Sequence, residues 1–172
     1  NTRPWHGRVA SAILARSTMF SHALYVFFIA MSPVVEISGA IPLAILTFDF
    51  SPFQAYTIAL LGNLIPPLFL IPLLGRVDAF LSAHSTLWQR YFGRFLERTR
   101  DNHVKKFEVM KELVLFVLLV IPTPLTGVWT ASLLTHIFGI PFRKAMPLII
   151  VGQLIAGGVV VATTLGLVSI FS

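Results

Sequence analysis

Charged and apolar positions fall in long, separate blocks along this chain. No Asp, Glu, Lys or Arg occurs within 17–35, 37–48, 50–75, 113–142 or 145–172. Charge-free blocks of this kind predict membrane segments, because about 20 apolar residues are needed to cross a hydrocarbon layer of ~30 Å as a helix. Segment 17–35 enters the bilayer and stops at Glu36. Segments 50–75 and 145–172 are long enough to cross it. Segment 37–48 is not, since at the helical rise per residue it covers only about 18 Å.

Segment 113–142 carries Pro122 and Pro124 near its middle, in the run Ile121-Pro-Thr-Pro-Leu-Thr-Gly127. Each proline removes a backbone donor and clashes with the preceding turn, so the helix must break there. The segment reads either as one kinked crossing or as a re-entrant hairpin of two half-helices. Irregular backbone at membrane depth persists only where protein buries it or where it lines a wet cavity.

Two stretches are polar. In 1–16, Arg3, Arg8 and Arg16 interleave with Trp5, Val9 and Ile13, as in a short helix lying at the membrane interface. The connection 76–112 carries eight Lys/Arg and five Asp/Glu, and its apolar residues from Val77 to Leu96 recur at three- and four-residue steps. That spacing predicts an amphipathic helix. Arg90, Arg94 and Arg98 form one basic stripe along it, either a site for anionic lipid headgroups or a solvated interfacial face.

The two halves resemble each other. Gly62-Asn63-Leu64-Ile65 returns as Gly152-Gln153-Leu154-Ile155, Pro52-Phe53 as Pro141-Phe142, Leu46-Thr47 as Leu134-Thr135, Gly39 as Gly127 and Gly75 as Gly166. Glycine, proline and amide positions make the matches, which shared hydrophobicity alone explains poorly. The pattern predicts an internal duplication. Each unit is then a broken hydrophobic segment followed by one full crossing, and the shortness of 37–48 favours a re-entrant first part. A unit that crosses once inverts its successor. That is the plan of secondary transporters whose discontinuous helices meet near the midplane. The Lys/Arg distribution places 76–112 in the cytoplasm on either the inverted or the parallel arrangement.

Composition closes other routes. Apolar residues make up 56% of the chain and charged residues 12%, about half the charge of a soluble domain; the mean hydropathy is +0.83. A soluble enzyme is excluded. With no cysteine there are no disulfides and no thiolate chemistry, and the five histidines lack metal-binding spacing. No metal and no cofactor are expected. The net charge of +6 points to anionic lipid rather than nucleic acid. The first residue is Asn1 rather than Met, as expected of a processed form or of a chain whose start is missing.

Pro33-Val-Val-Glu36-Ile-Ser-Gly39-Ala-Ile-Pro42-Leu-Ala, then Gly62-Asn63, then Ile121-Pro122-Thr-Pro124-Leu-Thr126-Gly127-Val-Trp129-Thr resemble the small multi-drug export protein family over roughly residues 30–170. That family is distantly similar to DedA/VTT-type membrane proteins, associated with lipid translocation. The resemblance implies a membrane exporter or lipid translocase. The family usually shows Glu-Leu-Arg-Gly-Ala-Ile-Pro, and this chain has Ser38 in place of the arginine. It usually shows Pro-x-Pro-Gly-Thr-Gly, and here Leu125 replaces the first glycine.

Glu36 is the one carboxylate enclosed by membrane segments, and an intramembrane ionisable group marks function by default. It reads as a protonatable coupling site, as a ligand for a cationic substrate, or as an acceptor for free N–H groups at the hairpin tip near Gly39. Asn63 and Gln153 occupy equivalent places and either face the substrate path or bond across helices. Thr123 and Thr126 offer hydroxyls to a headgroup or to carbonyls freed by proline. Trp129 is a packing or stacking surface. His22 and His136 are expected to bond backbone or face an interface, and Asp49 to meet solvent. Gly152, Gly157, Gly158 and Gly166 give the last helix a narrow face for close packing. The substrate path expected between the tips comprises Glu36, Gly39, Pro42, Asn63, Pro122, Thr123, Pro124, Thr126, Gly127 and Gln153.

The expected fold is a single all-α polytopic integral membrane domain with two internal repeats. Each repeat is a re-entrant or broken helical hairpin plus a transmembrane helix, in inverted topology. Residues 1–16 are interfacial, 17–75 the first repeat, 76–112 the connection and 113–172 the second repeat. The expected function is that of a small transporter, exporter or lipid translocase. With no nucleotide-binding loop, it would be driven by an ion gradient or a partner. The alternative is a non-transporting structural or accessory subunit of a larger membrane complex, motivated by the departures at Ser38 and Leu125. An enzyme is not expected, since one enclosed carboxylate without a second acid, a nucleophile or a metal cluster builds no mechanism. Partners are membrane lipids, anionic ones on the basic face, and either further copies of the chain or a larger assembly. The membrane is a prokaryotic inner membrane or an organellar one, mitochondrial or plastid.

Overall fold

The computed structural model describes residues 5–85, 88, 93, 105–122 and 127–171. Among the described residues six helices follow in order: α1 (Trp5–Ala30), α2 (Glu36–Phe48), α3 (Pro52–His84), α4 (Lys105–Val120), α5 (Val128–Phe138) and α6 (Phe142–Phe171). There is no strand among the described residues. Two of the helices, α3 and α6, are long and apolar enough to cross a membrane, while α2 and α5 are short apolar helices.

The stretch expected as a separate interfacial helix runs straight into the next segment as α1. Neither glycine nor proline lies between Arg8 and Ala30, so nothing in the chain interrupts the hydrogen-bond ladder. The helix stops shortly before Pro33, which disfavours helical backbone at the residue ahead of it. The break expected at the second pair of prolines is also present: α4 stops at Val120 and α5 begins at Val128.

The two short helices end alike. Asp49 closes α2 in the left-handed conformation at φ 53°, and Gly139 closes α5 at φ 68°. Each is followed by a buried apolar residue, Phe50 or Ile140, and then by the proline that precedes or opens the next long helix. At α3 the start is further fixed by a capping box. Ser51 Oγ accepts from the Gln54 amide at 3.3 Å, and the Ser51 amide donates to Gln54 Oε1 at 3.2 Å. Pro52 sits at the first helical position, where its missing donor costs nothing.

Three prolines, Pro66, Pro67 and Pro72, lie inside α3 without ending it, and the helix runs past Gly75 to His84. An internal proline cannot bond the carbonyl four residues earlier. Pro66 and Pro67 therefore free the carbonyls of Gly62 and Asn63.

The apolar core has two parts. One gathers Val26 and Ala30 of α1, Ile37, Ala40, Ile41 and Ala44 of α2, Phe50, and Ala55 and Ala59 of α3, together with Val160 from the far half of α6. The other gathers Leu115 and Leu119 of α4, Val128 and Ala131 of α5, Ile140, and Ala145, Met146 and Ile149 of α6, together with Ile71 from the far half of α3. Each long helix thus begins in one core and ends in the other. Between the two cores the long helices meet at Asn63 and Gln153, both buried, where Asn63 Nδ2 donates to Gln153 Oε1 at 2.7 Å.

That pair predicts an asymmetry between single and double replacement. Asn63→Leu alone leaves the Gln153 amide buried without this partner and is expected to cost about 1–2 kcal/mol. Adding Gln153→Leu removes the second polar group and recovers part of the loss. Unfolding midpoints of the three variants in one detergent check this. A double variant as weak as the sum of the singles would show that the two amides act separately.

Large apolar side chains cover the outside. Phe53 is 77% and Phe69 69% exposed on α3, a surface that water would not tolerate over this area and lipid would.

Candidate functional site

The breaks after α1 and after α4 come together. Glu36, the first residue of α2, is 2% exposed and takes φ 47°. A left-handed backbone costs a bulky L-residue about 1–3 kcal/mol and persists only where the surroundings hold it. What holds it is the other break: the Glu36 carboxylate has the backbone N–H groups of Trp129 and Gly127 as hydrogen-bond partners. Those amides belong to the start of α5, whose own N-cap, Gly127, offers no side chain. Glu36 therefore caps α5 from another helix, placing a negative charge where the first-turn donors are free and the helix dipole is positive. Of the three readings of this residue, the arrangement bears on acceptance of free N–H groups, which lie at the second break near Gly127 rather than near Gly39. Its Oε1 has no partner among the described residues.

The contact is possible only because residue 127 is glycine. A Cβ there would fall on Glu36 Oε2. A second tie runs the opposite way: Trp129 Nε1 donates to the carbonyl of Met31, in the first break, at 3.0 Å. Trp129 thus bonds across the two breaks rather than serving as a packing surface alone.

Beside this junction lies a cleft of about 510 Å³ lined by residues that include Ser38 and Pro42 of α2, Pro122 of the second break, and Val160, Thr163 and Thr164 of α6. Pro42 lies inside α2 and cannot bond the carbonyl of Ser38, so that carbonyl lacks its usual helical donor. The Ser38 hydroxyl donates to the carbonyl of Val35 at 3.1 Å. The cleft is mainly apolar, with hydroxyls on two sides.

The expected path residues divide into three groups. Pro42 and Pro122 line the cleft. Glu36 and Gly127 form the junction next to it, and Gly39, one turn into α2, packs against Val35. Asn63 and Gln153 form the buried pair between the cores, bonding across helices, with Asn63 Oδ1 left unpaired among the described residues. Thr123, Pro124, Thr126 and Leu125 lie outside the described residues, as do Arg90, Arg94 and Arg98.

His22 stacks on Phe48 with ring centroids 4.2 Å apart, and His136 pairs with Asp78 at 3.4 Å. Asp49 is exposed, as expected. Of the four glycines of α6, a Cβ at Gly152 would crowd Leu119 and one at Gly157 would crowd Tyr56 and Ile37, but Gly158 and Gly166 face open space. The cleft residues Val160, Thr163 and Thr164 were not expected. Their only signal is a hydroxyl pair in an apolar helix.

Residues 36–159 match the model of the family described as “Putative small multi-drug export protein”. The match begins at Glu36, where the first break ends, and takes in α2, α3, the second break, α5 and the first part of α6. The chain belongs to this family and is a membrane protein. No curated protein and no solved structure matches it.

Proposed function

We propose that this member of the small multi-drug export family is a membrane exporter whose substrate path runs along the cleft between the two breaks, with Glu36 as its coupling group. The observation that carries this reading is the meeting of the two breaks beside an apolar cleft lined by α2, by Pro122 of the second break and by α6. Broken helices meeting at a cavity are the usual architecture of a transport site. An apolar wall with Ser38, Thr163 and Thr164 suits a small amphipathic molecule carrying few polar groups. Glu36 links the cleft to the tips. A neutral carboxyl accepts less strongly than a carboxylate and carries a proton of its own, so protonation weakens the tie to the α5 amides and loosens one tip from the other.

A duplication of inverted units is part of the same proposal. It is supported by the paired amides at Asn63 and Gln153, by the matching left-handed ends of α2 and α5, and by two cores that exchange the far halves of the long helices.

Flux of a fluorescent amphipathic cation in liposomes, with and without an imposed pH gradient, tests the reading. Glu36→Gln keeps an acceptor for the α5 amides and is expected to fold, while its gradient-driven flux falls to that of protein-free vesicles. Full, gradient-coupled flux in the variant would remove Glu36 from coupling. A wild-type chain that moves nothing and co-purifies in fixed ratio with unrelated chains would favour the accessory-subunit reading.

A further inference from the structure

A smaller cavity lies away from the cleft, at the opposite end of α5. Its volume is about 140 Å³, and it is lined by Lys111 and Glu112 of α4, the Phe138–Pro141 turn, and Lys144 of α6. Lys111 is 8% exposed and donates to the carbonyl of Phe138 at 3.3 Å. Lys144 Nζ lies 3.0 Å from Glu112 Oε1. Two ammonium groups and one carboxylate are among the groups that line it.

The depth of the cavity follows from the sequence. Lys111 and Glu112 are the last charges before the charge-free segment 113–142, and Lys144 is the last before 145–172. Both segments thus pass from polar to apolar at the cavity, the change expected of a chain near the lipid phosphates. In the first turn of α6 the Lys144 and Ala145 amides donate to the Pro141 carbonyl, and the helix dipole favours an anion at the same end. Burial of Lys111 strengthens any charge pairing there relative to an exposed lysine.

We propose that this cavity binds a phosphate group, held between Lys111 and Lys144 at the start of α6, with Glu112 setting its affinity by competing for Lys144. The phosphate can come from an anionic lipid headgroup at the boundary or from a free anion in water. The site is separate from the cleft and does not rest on the transport reading.

The full chain purified in detergent, with phosphatidylglycerol as one probe and inorganic phosphate as the other, tests it. Retained lipid is read by native mass spectrometry, and phosphate binding by its displacement of that lipid and by the shift in unfolding midpoint against chloride at equal ionic strength. Lys144→Gln is expected to weaken binding about tenfold, the effect of losing one charge-assisted contact. Glu112→Gln is expected to strengthen it, a gain that misfolding cannot produce. Opposite signs with the lipid alone assign the site to a headgroup, and opposite signs with inorganic phosphate as well assign it to the free anion. The same sign for both substitutions, or no change with either probe, overturns the proposal.

Discussion

Gly127→Ala is expected to lower the thermal unfolding midpoint by roughly 6–12 °C, the equivalent of about 3 kcal/mol in a chain of this length. The reason is local and specific. An added methyl would occupy the place of the Glu36 carboxylate oxygen, so either the carboxylate leaves its α5 amides or the second tip moves away from the first. Leaving strips α5 of its cap and maroons a buried acid without its donors, each a costly event. Because the collision is with one side chain, it disappears when that side chain is shortened. Glu36→Ala with Gly127→Ala is therefore expected to be no less stable than Glu36→Ala alone, a strongly non-additive pair. Additive losses across the cycle would mean that Gly127 matters for its backbone and not for the room it leaves. The experiment is a set of four unfolding curves in one detergent.

Gly62→Ala is the second large effect, and its cause differs. The methyl would run into the main-chain carbonyl of Phe27, which cannot rotate aside as a side chain can. Helix α1 must then separate from α3, opening the first core along Val26 and Ala59, at a cost of about 2–4 kcal/mol. At Gly152, the matching place in α6, an added Cβ would come 2.6 Å from Leu119 Cβ, a less severe approach than the one to the Phe27 carbonyl oxygen at Gly62. Gly158→Ala meets nothing within 4 Å and is expected to be neutral within about 0.5 kcal/mol. Midpoints should therefore fall in the order Gly158→Ala, Gly152→Ala, Gly62→Ala, the last being lowest. If Gly62→Ala matched Gly158→Ala, the close approach of α1 and α3 would not contribute to stability.

Much of this fold is legible in the chain because lipid imposes a simple rule: charges mark where segments leave it. The charge-free stretches found α3 and α6, and two closely spaced prolines found the gap between α4 and α5. What defeats that rule is context. Pro66 and Pro67 are as closely spaced as Pro122 and Pro124, yet α3 carries on through them, as its reading as one crossing requires, with neighbours on several sides. The start of α1 looks like a separate interfacial piece, but nothing between Arg8 and Ala30 bends the chain. At the site, Glu36 stood out as an enclosed acid, yet its partner could not be read. The amides it caps lie some ninety positions away, on a helix whose N-terminus has no capping side chain of its own. The same holds for Trp129, whose bond to the Met31 carbonyl leaves no trace in local spacing. Val160, Thr163 and Thr164 become cleft residues only when the far half of α6 is laid against α2.

The Asn63–Gln153 contact has a consequence for how such a molecule could have arisen. On the duplication reading, the ancestor was a half-length chain that assembled with its own copy, and this position lay on the axis relating the two. A side chain on such an axis meets itself. Two carboxylates or two ammonium groups would repel there, and two apolar residues would fit but fix no register. An amide both gives and receives a hydrogen bond, so it can satisfy its own image. Once the copies were joined in one chain, the two positions no longer had to be identical, only complementary. One has since become a residue a single methylene longer than the other, and the bond between them survives at 2.7 Å.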